Sequence, residues 1–321
     1  MDRPDVLQRL SLTDCPDHRL RMVKFAQSER AARCADMWWG ERSRIFGIED
    51  IGRHVAAGQL WWVSQDMELL VEAAADSIPD FRLMPGDVPD PCGVVFYERP
   101  LVGIDSHAEL GDDSWQEAVD TFSRVPGPMV YGGAPFDGTV ALNAMSWSSA
   151  RRADGSGTLV IYSWVFLVNG LIPGWLALGV CTWDLGTSLR DVRDDYEDAH
   201  KASVTEDRGR LAALWLLASQ ERLARRSEEP VERHAAKRHV RAGLEIPTLK
   251  VLRLRHARTT KPDEEPSESR AWTHRWVVSG HWRNQWLPSE DRHRPTWIAP
   301  YVKGPDDKPL VVKDSIKALV Q

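Results

Sequence analysis

Three apolar stretches in the middle of the chain constrain its fold more than any other feature. They cover residues 139–147, 158–168 and 175–183, and each is bounded by Gly, Pro or Asp-Gly turn signals. The segment Ala153-Asp-Gly-Ser-Gly157 lies where a hairpin turn would join the first two stretches. Apolar runs of this length with such boundaries are typical of antiparallel strands around one core, so we expect a meandering sheet here.

The residues before this sheet are predicted to form helices with two strands between them. An apolar stripe of helical period runs between Arg19 and Trp39, and Gly40 can end that helix. Periodicity and turn signals predict four further elements, which are helices at 49–57 and 66–76 and strands at 59–64 and 93–98. Together with the meandering sheet, these elements make residues 1–190 an acidic α+β body.

The sequence pattern changes after residue 190. Residues 191–226 are polar with one apolar helical face, and a short helix is predicted at 231–242, ending at Gly243. The last part alternates as strands do, at 249–255, 270–286, 296–302 and 309–312. We therefore predict an α+β fold in three parts: N-terminal helices with an antiparallel sheet (1–190), a helical pair (191–243) and a small C-terminal antiparallel β-unit (244–321).

One segment of the C-terminal unit is predicted to be mobile. The loop at 260–269 carries four acidic residues and two prolines, and it lacks a large apolar anchor. Segments of this composition cannot bury enough apolar surface to become ordered.

Composition excludes several classes of protein. Hydrophobic residues make up 42% of the chain and charged residues 27%, which is ordinary for a globular protein and excludes collagen-like or wholly disordered chains. No apolar run approaches the roughly 20 residues that a membrane-spanning helix needs. Residues 1–10 are charged and lack the apolar stretch of a signal peptide. We therefore expect a cytoplasmic protein without a membrane partner.

Neither a metal nor a cofactor is indicated by the motifs. The four cysteines lie far apart and form no Cys-x-x-Cys pair, so free thiols in a reducing compartment are expected. The phosphate-binding Gly-x-x-x-x-Gly-Lys-Ser/Thr loop, the Gly-x-Ser-x-Gly elbow and the His-Glu-x-x-His helix do not occur. The sequence thus predicts no metal site and no cofactor.

The distribution of charge points to a polyanion. Residues 201–321 hold 24 Lys and Arg against 16 Asp and Glu, a net charge of +8, whereas residues 1–200 carry −14. Six of the ten histidines also follow residue 230. A basic, His-rich C-terminal part favours a surface that faces nucleic acid. The alternative is that the basic part simply packs on the acidic part of its own chain.

The segment 272–286 carries the side chains best suited to chemistry. Strand alternation places Arg275, His281, Arg283 and Gln285 on one face, unless a bulge at Gly280 moves the later ones to the other face. Arginine holds phosphate with paired donors, and histidine exchanges protons near neutral pH. We predict phosphate contacts and a metal-independent acid–base pair, with these residues: for nucleic-acid binding Arg275, Arg283, Gln285, Arg292, Arg294 and Lys303, and for catalysis His281 and His293. A ladder of stacked Trp, Arg and His that only stabilises the sheet remains the alternative.

Part of the chain resembles a group of proteins without an assigned activity. The run Gly280-His-Trp-Arg-Asn-Gln-Trp286, with residues 293–305 and Pro309-Leu310, resembles a C-terminal signature of proteins from actinobacteria and their phages and plasmids. Residues 59–64, 78–79 and 93–98 are similar to the same group. The resemblance implies a phage or mobile-element setting and no particular reaction.

Two functions follow as hypotheses. The first is a cytoplasmic protein of phage or mobile-element type that binds nucleic acid, DNA or RNA, and that could include a His/Arg nuclease. The second is a non-enzymatic protein that grips a host or phage protein, because Trp and Arg are also the favoured anchors of protein interfaces. Whether the protein is an enzyme stays open at this point.

Overall fold

The computed structural model describes residues 9–28, 48–101, 103–105, 130–131, 134–135, 139–152, 154–167, 174–192, 198–255, 274–304 and 308–311. All structural statements below refer to these ranges. The continuation of the predicted first helix beyond residue 28 and the predicted mobile loop at 260–269 lie outside them.

Five α-helices occur in the described ranges: α1 (Cys15–Ala26), α2 (Ile48–Ala57), α3 (Gln65–Asp76), α4 (Asp198–Ala218) and α5 (Arg233–Arg241). Two single 3-10 turns are found at Leu12–Asp14 and Pro85–Asp87. Ser64 has the extended backbone of an N-cap before α3, and the first backbone N–H of α3, that of Gln65, donates to Glu98. Helices α2 to α5 agree with the predicted helical segments in position, whereas α1 starts before the predicted helix at Arg19 and already ends at Ala26.

The strands of the described ranges are, in chain order, β1 (Gln59–Val63), β2 (Cys92–Tyr97), β3 (Gly103–Asp105), β4 (Val130–Tyr131), β5 (Ala134–Pro135), β6 (Thr139–Ala141), β7 (Ala144–Arg151), β8 (Gly157–Leu167), β9 (Gly174–Asp184), β10 (Ala224–Pro230), β11 (Thr248–Leu254), β12 (Arg275–Val278), β13 (His281–Leu287), β14 (Arg292–Ile298), β15 (Tyr301–Lys303) and β16 (Leu310–Val311).

Seven of these strands form one mixed sheet, which confirms the predicted α+β class. Their spatial order is β10-β11-β1-β2-β7-β8-β9. The meander β7-β8-β9 is antiparallel, as its apolar stretches predicted. β1, however, pairs in parallel with both β2 and β11. The sheet therefore crosses both predicted domain boundaries, at residues 190 and 243, because β10 and β11 join strands from the first part of the chain.

The structure corrects the predicted end of the first helix of the pair, at residue 226, because α4 ends at Ala218. Residues 224–230 form the edge strand β10, which pairs with β11 along its whole length. Its sequence is highly charged, and within it only Ala224 is buried. A charged edge strand is stabilised by backbone pairing rather than by burial of its side chains, so it gives no alternating apolar signal.

Side chains of the sheet alternate between two helical layers. On one face Trp61 and Val63 pack with α3 and α4, and on the other face Leu60 and Trp62 pack with α1 and α2. We refer to these as the α3/α4 face and the α1/α2 face. Both faces of the central strands are apolar because both are covered, which explains the continuous hydrophobic run of β1.

Helix α4 crosses the α3/α4 face from one side of the sheet to the other. At its middle, Asp207 accepts a hydrogen bond from Ser163 of β8, and Arg208 donates to the carbonyl of Thr182 in β9. At its end, a tight turn leads directly into β10, the opposite edge of the sheet. The second half of α4 therefore runs across the α3/α4 face toward the edge strand β10.

The predicted return strand at 270–286 is interrupted, within its described part, at Ser279-Gly280. β12 belongs to a small mixed sheet with β15 and β16, whereas β13 pairs with β14 in a separate antiparallel hairpin. Gly280 does not form the bulge that was considered as an alternative; it leaves room for Trp297, whose Cζ2 would lie 2.5 Å from a Cβ at this position. The alternation assumed across residues 272–286 therefore ends at Gly280.

Candidate nucleic-acid interface

The β13–β14 hairpin packs on the α3/α4 face through two tryptophans. Trp282 and Trp297 lie opposite each other in the hairpin, with ring centroids 5.2 Å apart and an edge-to-face arrangement. Trp282 Nε1 donates to the carbonyl of Ala74 in α3 at 2.7 Å, and Trp297 is buried in the core. The start of β13 and the end of β14 are thus fixed to the body of the protein.

A buried carboxylate clamps the other end of the hairpin. Both oxygens of Asp87 accept hydrogen bonds from Arg292, each at 2.8 Å, and Arg294 Nε lies 3.4 Å from one of them. Arg292 also donates to Glu290. The hydrogen bonds that Arg292 donates to Asp87 are the main cause of the raised pKa of Arg292. Arg292, a predicted phosphate ligand, therefore has its donors engaged within the protein.

One face of the hairpin is polar. Cross-strand pairing places Arg283 opposite Thr296 and Gln285 opposite Arg294, and His281 lies on the same face. Arg283 and Gln285 are exposed, and among the described residues neither makes a hydrogen bond or an ion pair. The Arg294 side chain points toward the body of the protein, where it contacts Ser219 at 3.3 Å. Three predicted binding residues, Arg283, Gln285 and Arg294, are therefore brought together.

The opposite face carries an exposed aromatic pair near the hairpin turn. Trp286 is 46% exposed, and its ring centroid lies 5.0 Å from that of His293, its direct cross-strand partner. The two rings pack at 60°. A large aromatic ring that stays this exposed offers a flat surface for stacking.

Two predicted binding residues lie outside the hairpin. Arg275 is in β12, where its Nε donates to the carbonyl of Lys308 at 2.9 Å. Lys303 is in β15, directly opposite Trp276, so it lies on the face of this small sheet opposite to Arg275. The two cations therefore do not share one face of the sheet with each other.

The two predicted catalytic histidines are not brought together. His281 pairs with Ile298 at one end of the hairpin, while His293 pairs with Trp286 near the turn. They lie on opposite faces and are five residues apart along β13, which corresponds to about 17 Å. An acid–base pair acting on one phosphodiester needs both imidazoles within hydrogen-bonding reach of it, so this placement does not assemble the predicted pair.

Sequence reasoning missed the residue that positions the hairpin. Asp87 lies in the 3-10 turn Pro85–Asp87, where its carboxylate also accepts from the backbone N–H of Met84 at 3.0 Å. In the sequence it is one acidic residue in a Pro- and Gly-rich turn, and such residues are ordinarily exposed. The pairing of Asp87 with arginines some two hundred residues later carries no local signal.

A concave region lies between α3 and α4, apart from the hairpin. It is a cavity of about 830 Å³ whose polar lining includes Glu72, Glu206 and Arg210. Behind it, Asp207 accepts from Ser163 at 2.5 Å and from Arg210 at 3.3 Å. Burial raises the pKa of Asp207, and the charge of Arg210 acts in the opposite direction. These buried charges satisfy one another inside the protein.

No described helix has both the length and the apolar character needed to cross a membrane. No cluster of three or more His, Cys, Asp or Glu side chains within the described ranges is arranged to hold a metal ion.

Comparison with known proteins gives little beyond this geometry. No protein-family model matches the chain, and no curated protein matches it. Among solved structures, the chain is similar to the crystal structure of AcrVA2, with 12% sequence identity, coverage of 90% of this chain and 93% of that chain, and a TM-score of 0.33. A similarity at this level supports no argument about function.

Proposed function

We propose that this protein binds single-stranded nucleic acid through the β13–β14 hairpin. The observation that carries the proposal is the exposed Trp286 ring on the same short hairpin as Arg283, an exposed guanidinium with no partner among the described residues. Proteins that bind single strands combine these two groups, because bases stack on aromatic rings and cations contact the backbone.

The chemistry of each face fits one part of a nucleotide. Trp286 offers a π-surface on which any base can stack, with His293 behind it. Arg283 and Gln285 supply donors for phosphate and sugar oxygens on the other face of the narrow hairpin. A strand that wraps the hairpin edge would contact both faces.

The way in which the hairpin is attached favours binding. Trp282 and Trp297 fix one end, and the clamp of Asp87 with Arg292 fixes the other. Because the scaffold is held at both ends, little conformational entropy is lost when a ligand binds.

The proposal is limited to binding. The separation of His281 from His293 gives no support to the hypothesis of cleavage, although the placement of each imidazole remains compatible with a binding contact. A phage or mobile-element origin remains the expectation set by the C-terminal signature.

Binding curves with hairpin variants test the proposal. A labelled oligonucleotide of about ten bases is titrated with the wild-type protein, with Trp286→Ala and with Arg283→Ala. We expect Trp286→Ala to weaken binding by about 1–3 kcal/mol, since one base loses its stacking partner. Arg283→Ala should reduce the slope of the logarithm of the binding constant against the logarithm of the salt concentration by slightly less than one, since one phosphate contact is lost.

Arg151→Ala is the matched control, because Arg151 is an exposed arginine at the end of β7 and lies outside the hairpin. This variant should bind as the wild type does. Equal affinity of all four proteins, or binding that salt does not affect, would contradict the proposal. The second of these results would instead favour a protein partner held by aromatic contacts.

A further inference from the structure

Helix α5 carries a line of cations that the hairpin does not use. Arg233, Lys237 and Arg241 are spaced four residues apart, so they follow one another along one side of the helix. All three are exposed, and none has a hydrogen bond or an ion pair among the described residues. No acidic residue occurs within this nine-residue helix to neutralise them.

The first turn of α5 is unfavourable for its own helix. Arg233 occupies the first helical position, where the helix dipole is positive, and the N-cap residue Glu232 makes no side-chain capping bond. A cation at this end of a helix is repelled by the positive end of the dipole. A charge kept against the local preference of the helix is often found where it serves a function.

The buried side of α5 is already occupied. Ala235 and His239 are buried, and Arg238 makes two hydrogen bonds to Asp17 of α1, at 2.8 and 2.6 Å. Insertion into a lipid surface requires a broad free apolar face, whereas α5 exposes a single large apolar side chain, Val240, among its cations. The exposed line of cations is therefore suited to phosphates presented in water.

The position of α5 separates it from the hairpin. α5 is attached to α1 on the α1/α2 face, whereas Trp282 and Trp297 attach the hairpin to the α3/α4 face. The sheet lies between them. An oligonucleotide bound at the hairpin would have to pass around an edge of the sheet to reach the cations of α5.

We propose that the line Arg233–Lys237–Arg241 is a second phosphate-contacting surface for nucleic acid, so that one molecule of this protein contacts two separate segments. This inference rests on the proposed function and extends it. It predicts two binding sites for a short oligonucleotide and one extended, tighter mode for a long one.

Calorimetric titration with a single-stranded oligonucleotide of about eight bases tests the inference. The wild type should bind two equivalents. The variant Arg233→Gln/Lys237→Gln/Arg241→Gln should bind one, because glutamine keeps the helix propensity while the charge is removed. With a long oligonucleotide, the slope of the logarithm of the binding constant against the logarithm of the salt concentration should be smaller by about 2 for the same variant, because three phosphate contacts are lost.

Two controls accompany this variant. Arg9→Gln/Arg151→Gln/Arg190→Gln removes three exposed arginine charges elsewhere on the protein and should still bind two equivalents. The melting temperature of the α5 variant should equal or exceed that of the wild type, since an unfavourable charge leaves the first turn. Lost binding with a lower melting temperature would overturn the inference.

The stoichiometries separate this inference from the proposed function. If the wild type binds one equivalent of oligonucleotide and only Trp286→Ala abolishes this binding, the hairpin proposal stands and the role of α5 is overturned. If the wild type binds one equivalent of oligonucleotide and only the α5 variant abolishes this binding, the hairpin proposal is overturned and the α5 surface is retained. No binding at all would overturn both.

Discussion

The seven-stranded sheet and the β13–β14 hairpin use the same residue types for different purposes. In the sheet, Trp164 is fully buried and its Nε1 donates to Ser146 at 2.8 Å, and Trp175 donates to His18 at 3.2 Å. In the hairpin, Trp286 remains nearly half exposed. Composition alone therefore does not distinguish a tryptophan that holds the fold from one that is available to a ligand.

The arginines repeat this contrast. Arg208 of α4 donates to the carbonyl oxygens of Leu189 and Asp191, at 3.1 and 3.0 Å, in addition to its bond with β9. Arg283 of the hairpin has no such partner among the described residues. Hydrogen-bond partners within the protein, rather than residue identity, therefore separate structural from functional side chains. Three measurements can test this difference.

The largest difference should appear when one tryptophan of each region is removed. Trp147 is buried, packs on Trp215 at 5.3 Å and donates to the carbonyl of Asp90. Trp147→Ala should lower the free energy of unfolding by about 3–5 kcal/mol, because a large cavity forms. Trp286→Ala should lower it by less than about 1 kcal/mol, which is usual for an exposed site. Denaturant titration measures both, and similar losses would refute the contrast.

A buried histidine of α1, which packs on the sheet through Trp175, should make stability depend on pH. Burial lowers the pKa of His18 from 6.5 to about 4, and the charge of Arg21 adds to this effect. Below pH 6.5 the unfolded chain binds a proton that the folded protein does not, so the free energy of unfolding should fall by about 3 kcal/mol between pH 6.5 and 4. Denaturant titrations of wild type and His18→Asn across this range test the prediction. Equal pH slopes of the two proteins would contradict it.

A smaller and local effect is expected from the clamp of the hairpin. Asp87→Asn removes the charge that faces Arg292 and Arg294, and charged hydrogen bonds of this kind typically contribute about 1.5–3 kcal/mol. Backbone amides of β13 and β14 should therefore exchange hydrogen faster. Amides of β8, in the centre of the meander, serve as the internal reference. Faster exchange in both places would show that Asp87 supports the whole fold rather than the hairpin.

Local patterns predicted the elements of the fold well and their pairing less well. Periodicity and turn signals predicted the helices α2 and α3 and the meander, because the apolar residues that each of them buries are close together in the sequence. β10 was missed because its side chains are charged, and the parallel pairing of β1 with β11 joins residues that are about 190 positions apart. Nothing in a local window encodes such a partner.

The candidate site shows the same limit. The shared face of Arg283 and Gln285 could be predicted, because alternation within one strand is a local property. The predicted strand at 296–302 is instead divided between β14 and β15, which belong to different sheets. The break at Gly280 and the clamp of Asp87 depend on Trp297 and Arg292, which reach these positions only in the folded chain. The separation of His281 from His293 follows from the cross-strand register, which residue types alone do not set.

The parallel pairing of β1 with β11 also has a consequence for biosynthesis. β1 is synthesised early, and its edge toward β11 stays without a partner until residue 254 has left the ribosome. During that interval the nascent chain exposes backbone donors and acceptors beside the apolar side chains of Leu60 and Trp62, a combination that promotes association between chains. Protection by a chaperone, or slow translation that is matched to folding, would matter more for this protein than for one whose strands pair in the order of their synthesis.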